Sequence, residues 1–254
     1  MKHKLYLFSI LIAPIISNAQ FIEVNYVDGN QKLSGLAAIP KTSLNENPGV
    51  LILPAWMGID EHAKDAATQL ADLGYHTLIA DIYGLGNKPN TPQEAGQQAG
   101  FYKKNSQDYQ RRIQLALNEL IKKGANPNKI VVIGYCFGGT GAIEAARTNM
   151  KVQGVVSFHG GLGKDEARKV EIIQPHVLVL HGADDPYVSL KEVQLFQDEM
   201  RTSKADWQMV YYSNAVHAFT ERKAGNDNSK GAAYNENAAK RSWKAMLQFL
   251  NEIL

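Results

Sequence analysis

The sequence has almost no cysteine, since Cys136 is the single one among 254 residues. One cysteine cannot form an intramolecular disulfide. The fold does not need one, because a chain of this length buries a sizeable core without disulfides or bound metals. A lone cysteine is either buried and inert or kept for its reactivity. Composition does not separate these two cases, so the local sequence around Cys136 has to decide.

The sequence also lacks an excess of charge of either sign. Lysine and arginine number 27 and aspartate and glutamate 25, which gives a formal net charge of +2. No run of basic residues resembles a patch that follows a phosphate backbone, so we expect no nucleic-acid partner. With 44% hydrophobic and 20% charged residues, the composition is typical of a globular protein.

A long apolar run is found only at the N-terminus, over residues 5–16. A basic start precedes it, and small residues that end at Ala19 follow it. This arrangement predicts a secretory signal peptide, residues 1–19, ahead of a single domain, residues 20–254. The alternatives are a buried helix or a membrane anchor, but the run is short for a membrane span and Pro14 interrupts it. We therefore expect an exported protein, periplasmic or secreted, with no membrane association after cleavage.

Strand and helix patterns alternate along the rest of the chain. Short apolar runs bounded by turn residues predict buried strands, and longer amphipathic stretches predict helices. The predicted strands are residues 21–27, 32–39, 50–53, 76–82, 129–133, 152–158, 176–180 and 207–211, and the predicted helices are 60–73, 106–123, 138–147, 190–200 and 238–254. The alternation predicts an α/β fold with a mostly parallel sheet, helices on both faces and an N-terminal antiparallel hairpin. Such sheets place their sites at the carboxyl ends of the strands.

Cys136 lies in the motif Gly-Tyr-Cys-Phe-Gly-Gly, residues 134–139, between a predicted strand and a predicted helix. A nucleophile on such a sharp turn is crowded, and Gly134 and Gly138 remove side chains that would collide with it. The start of the helix also favours a thiolate. The motif therefore predicts a nucleophile elbow. The alternative is a tight turn that holds an inert, buried cysteine.

A cysteine nucleophile needs a base, and the base needs an acid to orient it. His217 follows the last predicted strand, and it comes after Cys136 as the chain order nucleophile, acid, histidine requires. Asp184 and Asp185 follow the strand that ends at residue 180. We assign Asp185 as the acid and keep Asp184 as the alternative, because one of the two is expected to organise the turn.

Two backbone N–H groups are expected to hold the oxyanion of the reaction intermediate. One belongs to Phe137, the residue after the nucleophile, and the other to Trp56, which follows a predicted strand. Met57, His159 and Arg222 are candidates for the lining of the substrate pocket.

Histidines near other strand ends do not predict a metal site. His159 and His181, together with Asp184 and Asp185, match no recognised spacing of zinc ligands. We therefore expect no metal.

Together these motifs resemble those of the dienelactone hydrolase family. Residues 134–139 are similar to its cysteine elbow, residues 182–188 to its Gly-x-x-Asp-x-x-Val segment, and residues 217–219 to its histidine loop. The resemblance covers most of residues 20–254. It implies an α/β-hydrolase fold and a Cys-His-Asp triad with Asp185 as the acid, and it implies no cofactor.

Two positions differ from the family pattern. Ala55 lies where members commonly carry a glutamate that contacts the thiol, and Glu221 lies where characterised members carry an arginine for the substrate carboxylate. These differences argue against dienelactone itself as the substrate. The residues and the resemblance predict a hydrolase of small carboxylic esters or lactones that forms an acyl-thioester on Cys136.

Other functions remain open at this point. Another acyl-transfer enzyme, such as a thioesterase or peptidase, would use the same elbow, and a non-catalytic module would bind small molecules in the same cleft. A redox-sensing thiol would need neither His217 nor Asp185. Substrate choice on this scaffold depends on loops, here residues 87–101 and 222–234.

The signal-peptide prediction is tested by the mass of the exported protein, which we expect to begin at Gln20. Ala19→Leu should leave the precursor uncleaved because the peptidase reads small residues, whereas Ala19→Ser should be processed normally. Intact-mass spectrometry of the periplasmic and cytosolic fractions measures both. Full-length wild-type protein confined to the cytosol would contradict the prediction.

Overall fold

The computed structural model describes residues 20–254, so the predicted signal peptide lies outside the described residues. An eight-stranded sheet forms the centre of the fold. The strands are β1 (Ile22–Asp28), β2 (Gln31–Ala38), β3 (Gly49–Leu53), β4 (His76–Ile79), β5 (Ile130–Tyr135), β6 (Gly154–Phe158), β7 (His176–Gly182) and β8 (Trp207–Tyr212). The helices are α1 (Glu61–Asp72), α2 (Pro92–Lys104), α3 (Ser106–Lys122), α4 (Phe137–Arg147), α5 (Leu190–Thr202) and α6 (Glu236–Ile253).

The strand order is β1-β2-β4-β3-β5-β6-β7-β8. β1 and β2 form an antiparallel hairpin, and β2 also pairs antiparallel with β4, whereas the pairs from β4 through β8 are all parallel. The predicted α/β fold with a mostly parallel sheet and an N-terminal antiparallel hairpin is confirmed.

The core consists of one apolar layer on each face of the sheet. In β3 every residue is buried, and successive side chains point to opposite faces because a strand has a period of two. Leu51 and Leu53 pack in the layer beneath α3, α4 and α5, while Val50 and Ile52 pack in the layer beneath α1 and α6. The central strands are therefore apolar throughout, as expected for a parallel sheet with both faces covered.

The sequence predicts a loop over residues 87–101, and this prediction is wrong because helix α2 begins at Pro92. Thr91 caps this helix by accepting a hydrogen bond from Glu94 N (3.2 Å), and Pro92 occupies its first turn. These are ordinary start signals, but Gly96 and Gly100 and a weak apolar stripe hid the helix.

Strand β4 is shorter than predicted, since it ends at Ile79 rather than at residue 82. Asp81 turns the chain there because its carboxylate accepts hydrogen bonds from Ser34 N (2.9 Å) and Gly84 N (2.8 Å). No helix within residues 20–254 is long and apolar enough to cross a membrane.

A buried charge cluster ties α4 to α5. The guanidinium of Arg147 donates to Glu199 (3.0 and 2.7 Å), to Glu144 (2.8 Å) and to the carbonyl oxygens of Leu162 and Gly163 (2.7 and 3.0 Å). The Arg147 and Glu199 side chains are only 3% and 6% exposed. Such a pair is costly to break because the remaining charge stays buried without a partner.

We expect Arg147→Ala to lower the free energy of unfolding by about 3–5 kcal/mol, as for other broken buried pairs. The matched control is Arg201→Ala on α5, whose ion pair with Asp198 is exposed and should cost less than about 1 kcal/mol. Urea denaturation followed by circular dichroism measures both. Equal losses in the two variants would contradict this account of the cluster.

Candidate active site

Cys136 forms the turn between β5 and α4. Its backbone has φ 54° and ψ −113°, which is a conformation that residues with a side chain rarely adopt. Its N–H donates to the carbonyl oxygen of Phe158 on the neighbouring strand β6 (3.0 Å). The chain thus passes from strand to helix within one residue, and Cys136 lies at the carboxyl edge of the sheet.

The glycines around Cys136 are required by close backbone contacts. A Cβ atom on Gly134 would lie 2.0 Å from the carbonyl oxygen of Gly138, and a Cβ atom on Gly138 would lie 2.0 Å from the carbonyl oxygen of Leu53. Neither backbone oxygen is free to move away, because both belong to regular elements or their ends. The elbow therefore excludes every other residue at these two positions.

The structure brings the predicted nucleophile, base and acid together. His217 Nε2 lies 3.0 Å from Cys136 Sγ, and His217 Nδ1 lies 2.8 Å from Asp185 Oδ2. The other carboxylate oxygen of Asp185 accepts a hydrogen bond from Tyr187 N (2.9 Å), and the Asp185 side chain is 0% exposed. Asp184 is exposed and does not contact His217.

The electrostatics of the pair favour a charged His217. Burial lowers the pKa of this ring, but hydrogen bonds to Asp185 and Cys136 and the charges of both groups outweigh burial and raise the pKa to about 10. At neutral pH His217 is therefore an imidazolium, and its positive charge lies 3.0 Å from Cys136 Sγ.

Two tyrosines hold the segments that carry the predicted oxyanion donors. Tyr83 donates through its hydroxyl to the carbonyl oxygen of Trp56 (2.8 Å), and Tyr109 donates to that of Phe137 (2.9 Å). Both tyrosine rings stack on Phe137, with centroids 5.7 and 4.5 Å from its ring. Burial raises the pKa of both hydroxyls, so they stay protonated and able to donate. The oxyanion role of the Phe137 and Trp56 N–H groups stays a prediction.

His159 lies behind His217 rather than on an open pocket wall. Its side chain is fully buried, its ring centroid is 5.4 Å from that of His217, and its Nε2 lies 2.8 Å from Thr220 Oγ1. Thr220 Oγ1 is also 3.2 Å from His62 Nε2. Burial lowers the pKa of His159 well below its ordinary value, so a neutral ring packs against His217.

The other two pocket candidates lie apart from each other. Met57 is partly buried in the loop that contains Trp56. Arg222 is exposed, and its guanidinium lies 4.9 Å from the ring centroid of Tyr234. It lines a cavity that includes neither Cys136 nor His217.

A cleft of about 480 Å³ lies between α2, α4 and the segment after β6, and neither Cys136 nor His217 lines it. Tyr187 lines it and also packs edge-on against His217, with ring centroids 5.3 Å apart. Thr140, in the first turn of α4, forms another part of the wall, and Lys103 of α2 contributes a basic side chain. The sequence analysis did not identify Tyr187, although this residue lies two positions after Asp185 in the family-like segment.

The elbow, the buried acid and the histidine, each at the carboxyl end of a parallel strand and in this chain order, define the site of an α/β-hydrolase. The model of the dienelactone hydrolase family matches residues 33–254. The chain therefore belongs to this family, and it is an ester or lactone hydrolase.

Known proteins of similar sequence carry related names. A probable 2-oxo-3-(5-oxofuran-2-ylidene)propanoate lactonase from Bradyrhizobium is 26% identical over 90% of this chain and 94% of its own length. A putative carboxymethylenebutenolidase from Salmonella typhimurium is 25% identical over 84% of this chain and 80% of its own length. The crystal structure of a dienelactone hydrolase-like promiscuous phosphotriesterase from metagenomic libraries is 36% identical, with a TM-score of 0.86, over 92% of this chain and 98% of the other.

We expect NMR titration of the His217 ring to give a pKa near 10. Asp185→Asn should bring this pKa down toward the ordinary value of about 6.5, because it removes the charge that stabilises the imidazolium. Since the folded-state pKa lies above the ordinary one, the charged ring stabilises the fold below about pH 6.5, and this contribution is lost as the pH rises through 10. The control is Asp184→Asn, which should leave the His217 titration unchanged. The same fall in both variants would contradict the assignment of Asp185.

Proposed function

We propose that this hydrolase cleaves small carboxylic esters or lactones with Cys136 as its nucleophile. The observation that carries the proposal is the chain of contacts from Cys136 Sγ to His217 (3.0 Å) and from His217 to the buried Asp185 (2.8 Å). Each partner supplies what covalent catalysis by a thiol requires, namely a nucleophile, a base and a group that fixes the tautomer of the base.

In the first half of the reaction, the Cys136 thiolate attacks the carbonyl carbon of the substrate. A C–S bond forms, and the carbonyl electron pair moves to the oxygen, which the Phe137 and Trp56 N–H groups stabilise. When the intermediate collapses, the C–O bond to the leaving alcohol breaks, and the imidazolium of His217 gives that oxygen its proton. In a lactone the alcohol stays attached to the acyl group.

In the second half, neutral His217 removes a proton from a water molecule that attacks the acyl-thioester. The C–S bond breaks, the thiolate of Cys136 returns, and the product leaves as a carboxylic acid. Asp185 holds the ring through both halves and stabilises its charged form. The imidazolium of His217 stabilises negative charge on the Cys136 sulfur without the glutamate that other members carry at the position of Ala55.

The substrate class follows from the names of the relatives. Both curated relatives are named for lactone cleavage. Glu221 in place of an arginine argues against dienelactone itself. We also propose that the enzyme works outside the cytoplasm, on the evidence of residues 1–19.

Phosphotriester hydrolysis is a second candidate. It rests on the solved relative that is 36% identical over 92% of this chain and is named a promiscuous phosphotriesterase. Attack of the same thiolate on a neutral phosphoryl centre would place the developing negative charge at the same N–H groups.

Hydrolysis of p-nitrophenyl acetate and of a panel of small lactones tests the proposal. We expect Cys136→Ala and His217→Gln each to lower kcat/KM by at least about a thousandfold, because triad members act as a unit. Release of p-nitrophenolate and pH-stat titration measure the two substrate types, and paraoxon serves as the phosphotriester probe.

Asp184→Asn is the matched control, and it should keep wild-type kcat/KM within about threefold, as expected for an exposed residue outside the triad. Full activity of folded Cys136→Ala would overturn the nucleophile assignment. Turnover of paraoxon without turnover of any ester or lactone would favour the second candidate.

A further inference from the structure

The hydroxyl of Tyr109 reaches the residue that follows the proposed nucleophile. Tyr109 lies on α3, its side chain is fully buried, and its hydroxyl donates to the carbonyl oxygen of Phe137 at 2.9 Å. Phe137 is the first residue of α4, and its N–H is one of the two expected oxyanion donors. The hydrogen bond therefore ties this donor residue to a helix other than its own.

Gly141 makes room for this hydroxyl inside α4. A Cβ atom at position 141 would lie 2.4 Å from the Tyr109 hydroxyl oxygen and 2.6 Å from the ring carbon that bears it. Glycine destabilises the interior of a helix relative to alanine, so this position does not serve the helix itself. The missing side chain of Gly141 is what allows Tyr109 to reach Phe137.

Tyr83 holds the other donor residue in the same way. It follows β4, it is 3% exposed, and its hydroxyl donates to the carbonyl oxygen of Trp56 at 2.8 Å. The turn that carries Tyr83 is itself fixed, because the carboxylate of Asp81 accepts hydrogen bonds from Ser34 N and Gly84 N. Each expected donor residue is thus held at its own carbonyl oxygen by a buried tyrosine.

The ring of Phe137 joins the two tyrosines into one aromatic cluster. Tyr109 stacks on it with centroids 4.5 Å apart and an interplanar angle of 2°, and Tyr83 stacks on it at 5.7 Å and 15°. Tyr102 of α2 packs tilted against all three rings, at 5.8, 5.9 and 6.4 Å. Because both hydroxyl groups belong to rings that pack on the same side chain, contacts in this cluster resist a shift of either donor residue.

The placement of the donors matters for the chemistry. An oxyanion is stabilised by N–H groups that lie about 2.7–3.1 Å from the position it will occupy. Misplacing a group at a reacting centre by about 1 Å can lower a rate about a hundredfold. A hydrogen bond to the carbonyl oxygen of a donor residue limits such movement, because it fixes the peptide group that follows the donor N–H.

We propose that the hydroxyl groups of Tyr83 and Tyr109 position the oxyanion hole by holding the carbonyl oxygens of Trp56 and Phe137. Both are positioning residues, since they act through the two donor residues and not on the substrate. The inference rests on the proposed function, in which attack of the Cys136 thiolate on a carbonyl group forms the oxyanion.

Tyr83→Phe and Tyr109→Phe test the proposal, because each keeps the aromatic ring and removes only the hydroxyl. We expect each to lower kcat for p-nitrophenyl acetate about tenfold, as for partial loss of one oxyanion donor. KM should stay within about twofold of wild type, since the lost stabilisation belongs to the transition state.

Inhibition by phenyl trifluoromethyl ketone probes the oxyanion directly. The thiolate of Cys136 adds to the carbonyl carbon, a C–S bond forms, and the carbonyl electron pair moves to the oxygen that the donors hold. The Ki of this ketone should rise in each variant by about the same factor as kcat falls, because both depend on the same two N–H groups.

Alkylation of Cys136 by iodoacetamide separates this role from a general loss of structure. The thiolate displaces iodide from a tetrahedral carbon and no oxyanion forms, so both variants should be alkylated within about twofold of the wild-type rate. The matched control is Tyr102→Phe, whose ring belongs to the same cluster but whose hydroxyl donates to neither carbonyl oxygen. This control should keep wild-type kcat.

Circular dichroism establishes that each variant is folded. Wild-type kcat in folded Tyr83→Phe and Tyr109→Phe, an equal loss in Tyr102→Phe, or alkylation slowed in proportion to kcat would overturn this proposal alone. Ester turnover by wild type that is fully alkylated at Cys136 would contradict the proposed function, and this proposal would fall with it.

Discussion

At Cys136 the chain turns from strand to helix within one residue, and the rest of the site depends on this turn. The positive φ of 54° is maintained because Gly134 and Gly138 allow backbone contacts that no side chain would permit, and because the sheet holds Cys136 N–H on Phe158. The turn exposes the sulfur at the carboxyl edge of the sheet and aligns the first N–H groups of α4 beside it. Strain at one residue is thus offset by packing and hydrogen bonds of two elements.

The buried Asp185 sets the electrostatics and the orientation of His217. Asp185 is fully buried, and its two carboxylate oxygens are taken by His217 and by the backbone of Tyr187. With the acid fixed, the ring of His217 has one orientation, in which its Nε2 faces the sulfur. His159 and Tyr187 contact this ring edge-on from two sides, so the base is positioned by packing as well as by its hydrogen bonds.

The fold and the positions of the proposed nucleophile, acid and base were accessible from the sequence because both depend on local patterns. Strand and helix periodicities predicted the sheet. Cys136, Asp185 and His217 were then identified because each follows a predicted strand at its carboxyl end. The contacts of Tyr83 and Tyr109 with Trp56 and Phe137 were not accessible, since they join residues far apart in the chain and nothing in the local pattern marks them. Helix α2 was missed because its two glycines masked a weak apolar stripe.

The central claim is that Cys136 carries the acyl group during turnover, and rapid-quench mass spectrometry of the enzyme with p-nitrophenyl acetate tests it most directly. The account predicts that, during turnover, acid quenching traps one acetyl group per chain, on the peptide that contains Cys136, and that the modification disappears as the substrate is exhausted. Steady turnover with no acetyl group on that peptide, or with the acetyl group on another residue, would contradict the account.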